Sequence, residues 1–223
     1  MLVSIIVPIF NEENTVNEII DRLRALDFSK EIIVVDDCSQ DTSKIKLEQM
    51  NDIILLKHPV NRGKGAAIRT GLAQIKGDVV VVQDGDLEYD PNDLPRLLQP
   101  ILDGRVDVVY GSRFLGRMQG MRLRNFIANK ILTGFTNVLF GARITDMETC
   151  YKMIRTTVLD EIKLRANRFD FEPEITAKLL KKKARFLEVP ISYQGRTHLD
   201  GKKIGWKDGI NAIYSLVKYR LVD

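Results

Sequence analysis

The sequence predicts an α/β fold, a doubly wound and mostly parallel central sheet flanked by helices. Three observations predict it. Short apolar runs rich in Val and Ile recur along the first half of the chain, each ends in polar or turn residues, and stretches of helical periodicity separate them. Runs without polar alternation are buried on both faces, as parallel strands are. Helical connections between them make βαβ units with right-handed crossovers.

Taken in order, the strands fall at residues 2–8, 31–37, 52–58, 78–84 and 106–112, and the helices between them at 15–26, 64–75 and 91–102. After Ser112 the pattern changes to a long, basic, Gly-broken helical region. A helix at 173–183, a strand near 186–189 and an amphipathic helix at 206–220 follow. No repeat, low-complexity tract or linker interrupts the chain, which reads as a single domain, 1–223, with halves 1–112 and 113–223.

Composition narrows the function classes. With 223 residues and 44% hydrophobic content the chain buries a real core, which excludes a disordered protein. Cys38 and Cys150 are too few for a disulfide framework and suit no zinc site, so a reducing cytosol is expected. Met1 runs directly into a strand pattern, without the basic and apolar regions of a signal peptide. No run reaches the roughly 18 apolar residues of a spanning helix. The expectation is a cytoplasmic chain, soluble or peripheral at the membrane face.

Net charge is +4 but unevenly spread: residues 108–145 contain no Asp or Glu while carrying Arg113, Arg117, Arg122, Arg124, Lys130 and Arg143. Such a segment suits an anionic partner, or is a solvated basic face. With Ile131, Leu132, Phe135, Leu139 and Phe140 among its cations it reads as a bilayer-surface element, or as packing against another copy in a homo-oligomer.

Ligands of open α/β sheets bind beyond the carboxyl ends of the strands. Those ends read Pro8-Ile9-Phe10-Asn11-Glu12, Asp36-Asp37-Cys38-Ser39, Asn61-Arg62-Gly63-Lys64-Gly65, Asp84-Gly85-Asp86 and Gly111-Ser112-Arg113. One rim therefore gathers carboxylates, cations and glycines, as a charged ligand with a metal requires. Two carboxylates around a glycine can hold one hard divalent cation, which bridges to the oxygens of a diphosphate. Without a cation they repel, and one tends to hold a proton. Asp and Gly are also ordinary turn formers, but four Val residues and a Gln immediately before them argue against a plain turn.

Seven stretches, VPIFNEE, VVDDCSQDT, NRGKGAAIRTGL, QDGDLEYDP, YGSRF, TDMETCYK and FEPEI, stand in the order of the inverting GT-A glycosyltransferases of family 2. The chain resembles that family over residues 3–219, and within it the polyprenyl-phosphate (dolichyl-phosphate) mannose and glucose synthases. The resemblance implies a nucleotide-sugar-binding first half and an acceptor-binding second half. It implies that Pro8, Phe10, Glu12, Val35 and Asp37 cradle the nucleoside, and that Asp84, Gly85 and Asp86 hold ribose, diphosphate and metal. Glu88 would stand at the metal, Mg2+ or Mn2+. Arg113 and Arg124 would meet phosphate, and Arg196 and Lys202 would close over the diphosphate. By the same resemblance Asp86, Arg113 and Arg196 carry the chemistry. Three positions depart from the pattern: Phe10 lacks the usual Tyr hydroxyl, Gly85 in place of Ala should loosen the triplet, and Ala128 stands where a Ser often meets the acceptor phosphate.

The implied reaction moves a hexose from GDP-mannose or UDP-glucose to a polyprenyl phosphate, with inversion. The alternative acceptor is a glycan or protein hydroxyl. A hydroxyl needs a base, for which Asp146 and Glu174 are candidates, although either is equally a partner for backbone or Arg groups. A nucleotidyltransferase would place a Gly-rich basic loop after the first strand, where this chain has Pro8 to Glu12. A non-catalytic nucleotide-sugar or nucleic-acid module would not need Asp84 and Asp86 with Arg196 and Lys202, so no nucleic-acid partner is expected. The loop at Asn61 to Gly65 reads either as a phosphate loop or as a plain turn.

Overall fold

The five expected strands form as β1 (Val3–Ile9), β2 (Lys30–Asp36), β3 (Ile54–Lys57), β4 (Val79–Val82) and β5 (Val108–Ser112) in the computed structural model, which describes residues 1–196 and 206–222. The first three expected helices form as α1 (Val16–Arg24), α3 (Lys64–Leu72) and α4 (Leu94–Leu102). A short α2 (Ser43–Glu48) between β2 and β3 was not expected. In α1 the buried residues Val16, Ile19, Ile20 and Leu23 follow helical spacing and seal one face of the sheet. Alternate residues of β2 feed different cores: Ile32 and Val34 join the main one, while Ile33 and Val35 pack with Ala67 of α3.

The second half adds β6 (Met118–Gln119), α5 (Leu123–Phe140), β7 (Lys152–Arg155), α6 (Thr156–Leu159), α7 (Phe171–Lys181), β8 (Phe186–Pro190), β9 (Tyr193–Gln194) and α8 (Trp206–Leu221). The region after Ser112 becomes helical only past Gly120, which has φ 71°; from Leu123 it is one helix, α5, passing through Gly134, which has open space around it, and stopping at Gly141 in the left-handed conformation with φ 65°.

The main sheet runs β3-β2-β1-β4-β7-β5-β8, and β6 and β9 pair as a separate ribbon. Every pairing in the main sheet is parallel except those of β7, which lies antiparallel between β4 and β5. The sheet is thus mostly parallel and doubly wound, and β7 and β8 knit the second half into the sheet begun by the first. Register brings the strand ends together. Ile9 stands beside Asp36 and Ile6 beside Val82, so the residues leaving β1, β2 and β4 emerge on one rim. Strand order reverses between β1 and β4, the switch point at which α/β sheets hold ligands. Full burial of the four β4 valines, worth roughly 1.5–3 kcal/mol each, anchors a strand that ends in acidic residues.

Candidate active site at the switch point of the sheet

Three non-glycine residues with left-handed backbone mark the rim: Asn11 after β1 (φ 54°), Cys38 after β2 (φ 66°) and Leu87 after β4 (φ 61°). Such residues persist where surrounding structure over-determines them, commonly at ligand sites. Between Asn11 and Leu87 lies Gly85. Its carbonyl accepts the Thr15 hydroxyl at 2.6 Å, and a Cβ on it would come within 2.4 Å of Ile9 Cδ1. Gly85 therefore does not loosen the triplet; it lets β4's end pack tightly on β1.

The acidic residues after β4 take different protein partners. Asp84 Oδ1 lies 2.9 Å from Lys64 Nζ, which also reaches Glu172 Oε1 at 3.0 Å. Arg196 Nη2 donates to Asp86 Oδ2 at 3.0 Å, and its fork also holds Glu12, with Nη1 2.9 Å from Oε2. Glu88 accepts the Tyr193 hydroxyl at 2.7 Å and the Arg196 backbone N–H at 2.8 Å. Asp84, Asp86 and Glu88 thus crowd one rim without forming a ready three-ligand cage, and among the described residues no three His, Cys, Asp or Glu side chains do. The donor set nevertheless suits a hard divalent cation. All three groups offer carboxylate oxygens, and burial, followed by the charges of Asp84 and Glu88, pushes the Asp86 carboxyl up to about 7. Negative charge here is under-compensated.

Several expected contacts are corrected by the fold. Val35 is fully buried on the α3 side of β2 and packs rather than meeting a ligand. The Asp37 side chain is 4% exposed. It accepts from His58 Nδ1 at 2.6 Å and from the backbone N–H groups of Arg62 and Gly63 at 2.8 and 2.7 Å. Asp37 is thus the anion that fills the N-terminal end of α3, which replaces the phosphate-loop reading of Asn61 to Gly65. The glycines there serve close packing: a Cβ on Gly63 would lie 2.4 Å from the Asn167 carbonyl, and one on Gly65 2.7 Å from that of Ala166.

Arg113, 6% exposed, gives Nε and Nη2 to Asp146 at 2.7 Å each and lies over the Tyr193 ring at 5.3 Å. Asp146 is thereby the orienting partner of Arg113. Glu174, fully buried, accepts from the backbone of Arg165 and Ala166 and from Lys178 Nζ at 2.8 Å, pinning the segment against which Gly63 and Gly65 pack. Neither carboxylate is placed as a general base. Pro8 and Phe10 are half-buried at the rim. Arg124 is exposed in the first turn of α5, joined to the carboxylate rim by no described hydrogen bond. Lys202 lies outside the described residues.

Sequence reasoning missed a charged layer beneath the rim. Besides Lys64 and Glu172 it includes Glu148 and Lys152, whose Nζ donates to the Thr149 carbonyl and itself lies 4.9 Å from the centre of the Tyr110 ring. Glu148 Oε1 is buried and has no hydrogen-bond partner among the described residues. Burial, then Glu172, pushes its carboxyl up to about 7, against the pull of Lys152 and Arg113. The signal in the sequence was the stretch TDMETCYK, in which Glu148 and Lys152 stand beside Asp146.

The description "Glycosyl transferase family 2" matches residues 4–163. The chain belongs to this family. It is 28% identical over 234 residues to a dolichol-phosphate mannosyltransferase of Pyrococcus furiosus, covering 98% of this chain and 64% of that protein. It is 31% identical over 209 residues to an undecaprenyl-phosphate 4-deoxy-4-formamido-L-arabinose transferase of Pseudomonas fluorescens, covering 90% and 59%. The chain spans about half to two thirds of the length of several such relatives. Glucosyl-3-phosphoglycerate synthase of Mycobacterium tuberculosis, solved with Mn2+ and UDP-glucose, superposes with a TM-score of 0.78 at 20% identity, covering 100% of this chain and 80% of that one. That likeness bears out the GT-A fold expected from the sequence.

Proposed function

We propose that this glycosyltransferase moves a hexose, mannose or glucose, from GDP-mannose or UDP-glucose to a polyprenyl or dolichyl phosphate, inverting the anomeric carbon. The observation that carries the reading is the division of labour at the rim. The acidic groups Glu12, Asp86 and Glu88 meet Arg196 on one side, while Asp146 and Glu174, the candidate bases, are bound to Arg113 and Lys178. A phosphate acceptor arrives ionised and needs no base. The names of the relatives in Pyrococcus furiosus and Pseudomonas fluorescens support such an acceptor.

Asp86, with Asp84 and Glu88 beside it, would hold Mg2+ or Mn2+, whose chemistry there is to neutralise charge on the leaving diphosphate. Arg196 adds a planar donor fork on the same side. Lys64 keeps Asp84 and Glu172 charge-compensated below. Arg113, held rigid by Asp146, and Arg124 orient the incoming phosphate. The start of α5 favours this: Arg122 stands at its N-cap position, Arg124 in its first turn, and that turn has no acid, so cations join the positive end of the helix dipole. Within a partly buried site each of these contacts counts for more than it would in water.

The outer face of α5 and α8 supports the membrane part of the proposal. Leu123, Ile127, Ile131 and Val138 make one exposed stripe on α5; Ile210, Ile213, Tyr214, Val217 and Leu221 make another on α8, which packs against α5. Exposed Arg117, Arg124, Lys130 and Arg143 belong to the same acid-free segment. Apolar stripes beside cations suit an anionic bilayer surface. No described helix is long and apolar enough to cross a membrane.

One observation favours a second reading, transfer to a glycan or protein hydroxyl. Glu148, with a raised carboxyl and a buried unpartnered oxygen, has the character of a general base. The deciding experiment is sugar transfer from a panel of nucleotide-sugars with Mg2+ or Mn2+, run with polyprenyl phosphate and with hydroxyl acceptors. Transfer to hydroxyl acceptors alone replaces the first reading with the second.

A further inference from the structure

Arg196 follows β9 and draws acidic groups from two strand ends onto one guanidinium. Nη1 lies 2.9 Å from Glu12 Oε2, and Nη2 lies 3.2 Å from Glu12 Oε1 and 3.0 Å from Asp86 Oδ2. Its backbone N–H holds Glu88 at 2.8 Å. Lys64 does the equivalent for Asp84 from the opposite side, at 2.9 Å. Each aspartate of the triplet therefore already has a cation supplied by the chain. The two cations differ. Lys64 bridges Asp84 to the buried Glu172 and belongs to the layer beneath the rim. Arg196 is partly exposed, at 19%, and its Nε is buried without a hydrogen-bond partner among the described residues. A guanidinium with an unused buried donor is incompletely satisfied where it lies.

A divalent ion on Asp86 would stand close to this guanidinium, where like charges repel strongly at the effective dielectric near a protein surface. Arg196 and the metal thus compete for Asp86. A diphosphate resolves the competition, since its oxygens match the guanidinium fork and accept from Nε as well.

We propose that Arg196 is an internal counter-cation for Asp86, holding that carboxylate while no nucleotide is bound and passing to the diphosphate when one binds. This rests on reading Asp86 as the metal ligand and the donor as a nucleoside diphosphate sugar. Metal and nucleotide then bind with positive coupling, because each favours the arrangement in which Arg196 has left Asp86. Arg196 acts here as a positioning residue for the metal, in addition to its contact with the leaving group.

The test is Mn2+ binding to the whole chain, followed by electron paramagnetic resonance of the free ion, alone and with saturating UDP or GDP. Wild type should bind Mn2+ weakly alone and about tenfold more tightly with one of the two nucleotides. Arg196→Gln should bind Mn2+ alone several-fold more tightly than wild type and gain much less from nucleotide. Arg196→Lys, which keeps the charge, should bind Mn2+ alone as wild type does. A residue that merely braced the rim would weaken metal binding when replaced. Unchanged or weaker binding of Mn2+ alone by Arg196→Gln, or a lysine variant that behaves like the glutamine one, overturns the proposal, as does absence of coupling in wild type with either nucleotide. Asp86→Asn separates the two ideas: if it binds Mn2+ like wild type, the metal assignment of Asp86 itself fails.

Discussion

Arg113 and Asp146 close on each other as a fork on a carboxylate, Nε 2.7 Å from Oδ2 and Nη2 2.7 Å from Oδ1, with the Arg113 backbone N–H also 3.0 Å from Oδ2. The side chains are 7% and 0% exposed. A pair this buried adds modestly to stability when intact, yet breaking it from one side strands a charge. It holds the guanidinium at the mouth of β5 over the Tyr193 ring, in one orientation.

Replacing Asp146 therefore disturbs the fold before it disturbs proton transfer. Asp146→Ala should cost about 3–5 kcal/mol in urea unfolding, the range for losing one partner of a buried pair. The double variant with Arg113→Met should recover part of that loss. A single-variant loss below about 1 kcal/mol, the level of an exposed pair, would show that the pair is solvated in solution.

Asp86→Ala should abolish sugar transfer while leaving the thermal transition within a few degrees of wild type. The side chain is 17% exposed and its described partners are Arg196 and the Glu88 backbone, so little packing is lost. Excess EDTA should stop wild type in the same way. Full activity in either case removes the metal role.

Glu148→Gln separates the two acceptor readings. With a polyprenyl phosphate it should transfer within about tenfold of wild type, whereas loss of a working general base costs ~10²–10⁴-fold. A thousandfold fall with normal donor binding would show Glu148 acting as a general base, which an ionised phosphate acceptor does not need, and would count against the first reading.

The same variant carries a pH signature. The Glu148 carboxyl is raised in the fold from 4.5 to about 7. Between those values the native state keeps a proton that the unfolded chain releases, so its contribution makes stability fall as pH rises through that window. Glu148→Gln has no such proton. Its melting temperature relative to wild type should therefore rise from pH 5 to pH 8, and a constant difference would show that the raised carboxyl is absent in solution.

Ile131→Asp and Val138→Asp should each weaken co-sedimentation with anionic vesicles without lowering the melting temperature, since both residues are exposed, at 61% and 87%. Wild-type binding should weaken as salt rises, because cations flank the stripe. Binding to neutral and anionic vesicles alike, or binding insensitive to salt, would remove the electrostatic part of the docking.

The amino-acid sequence by itself determined the five strands of the first half and the helices α1, α3 and α4, though not the short α2, because unbroken Val and Ile runs and helical spacing are local signals that any αβ-layered core requires. It also placed Asp84, Asp86, Glu12 and Arg196 among the site candidates, through the family resemblance. The tertiary structure alone decided the rest. β7 is four residues long, and its place between β4 and β5 is set by strands far from it in the chain, Val79 and Val80 on one side and Val108 to Tyr110 on the other. Asp37, Asp146 and Glu174 looked like rim carboxylates, but the depth at which each sits, and the Arg62, Arg113 or Lys178 group that meets it, depend on long-range packing. Burial converts a carboxylate from a ligand into an internal strut, because a desolvated charge must take its partner from the chain. Sequence names the charges; only the folded arrangement decides which of them face water, and so which remain for a substrate.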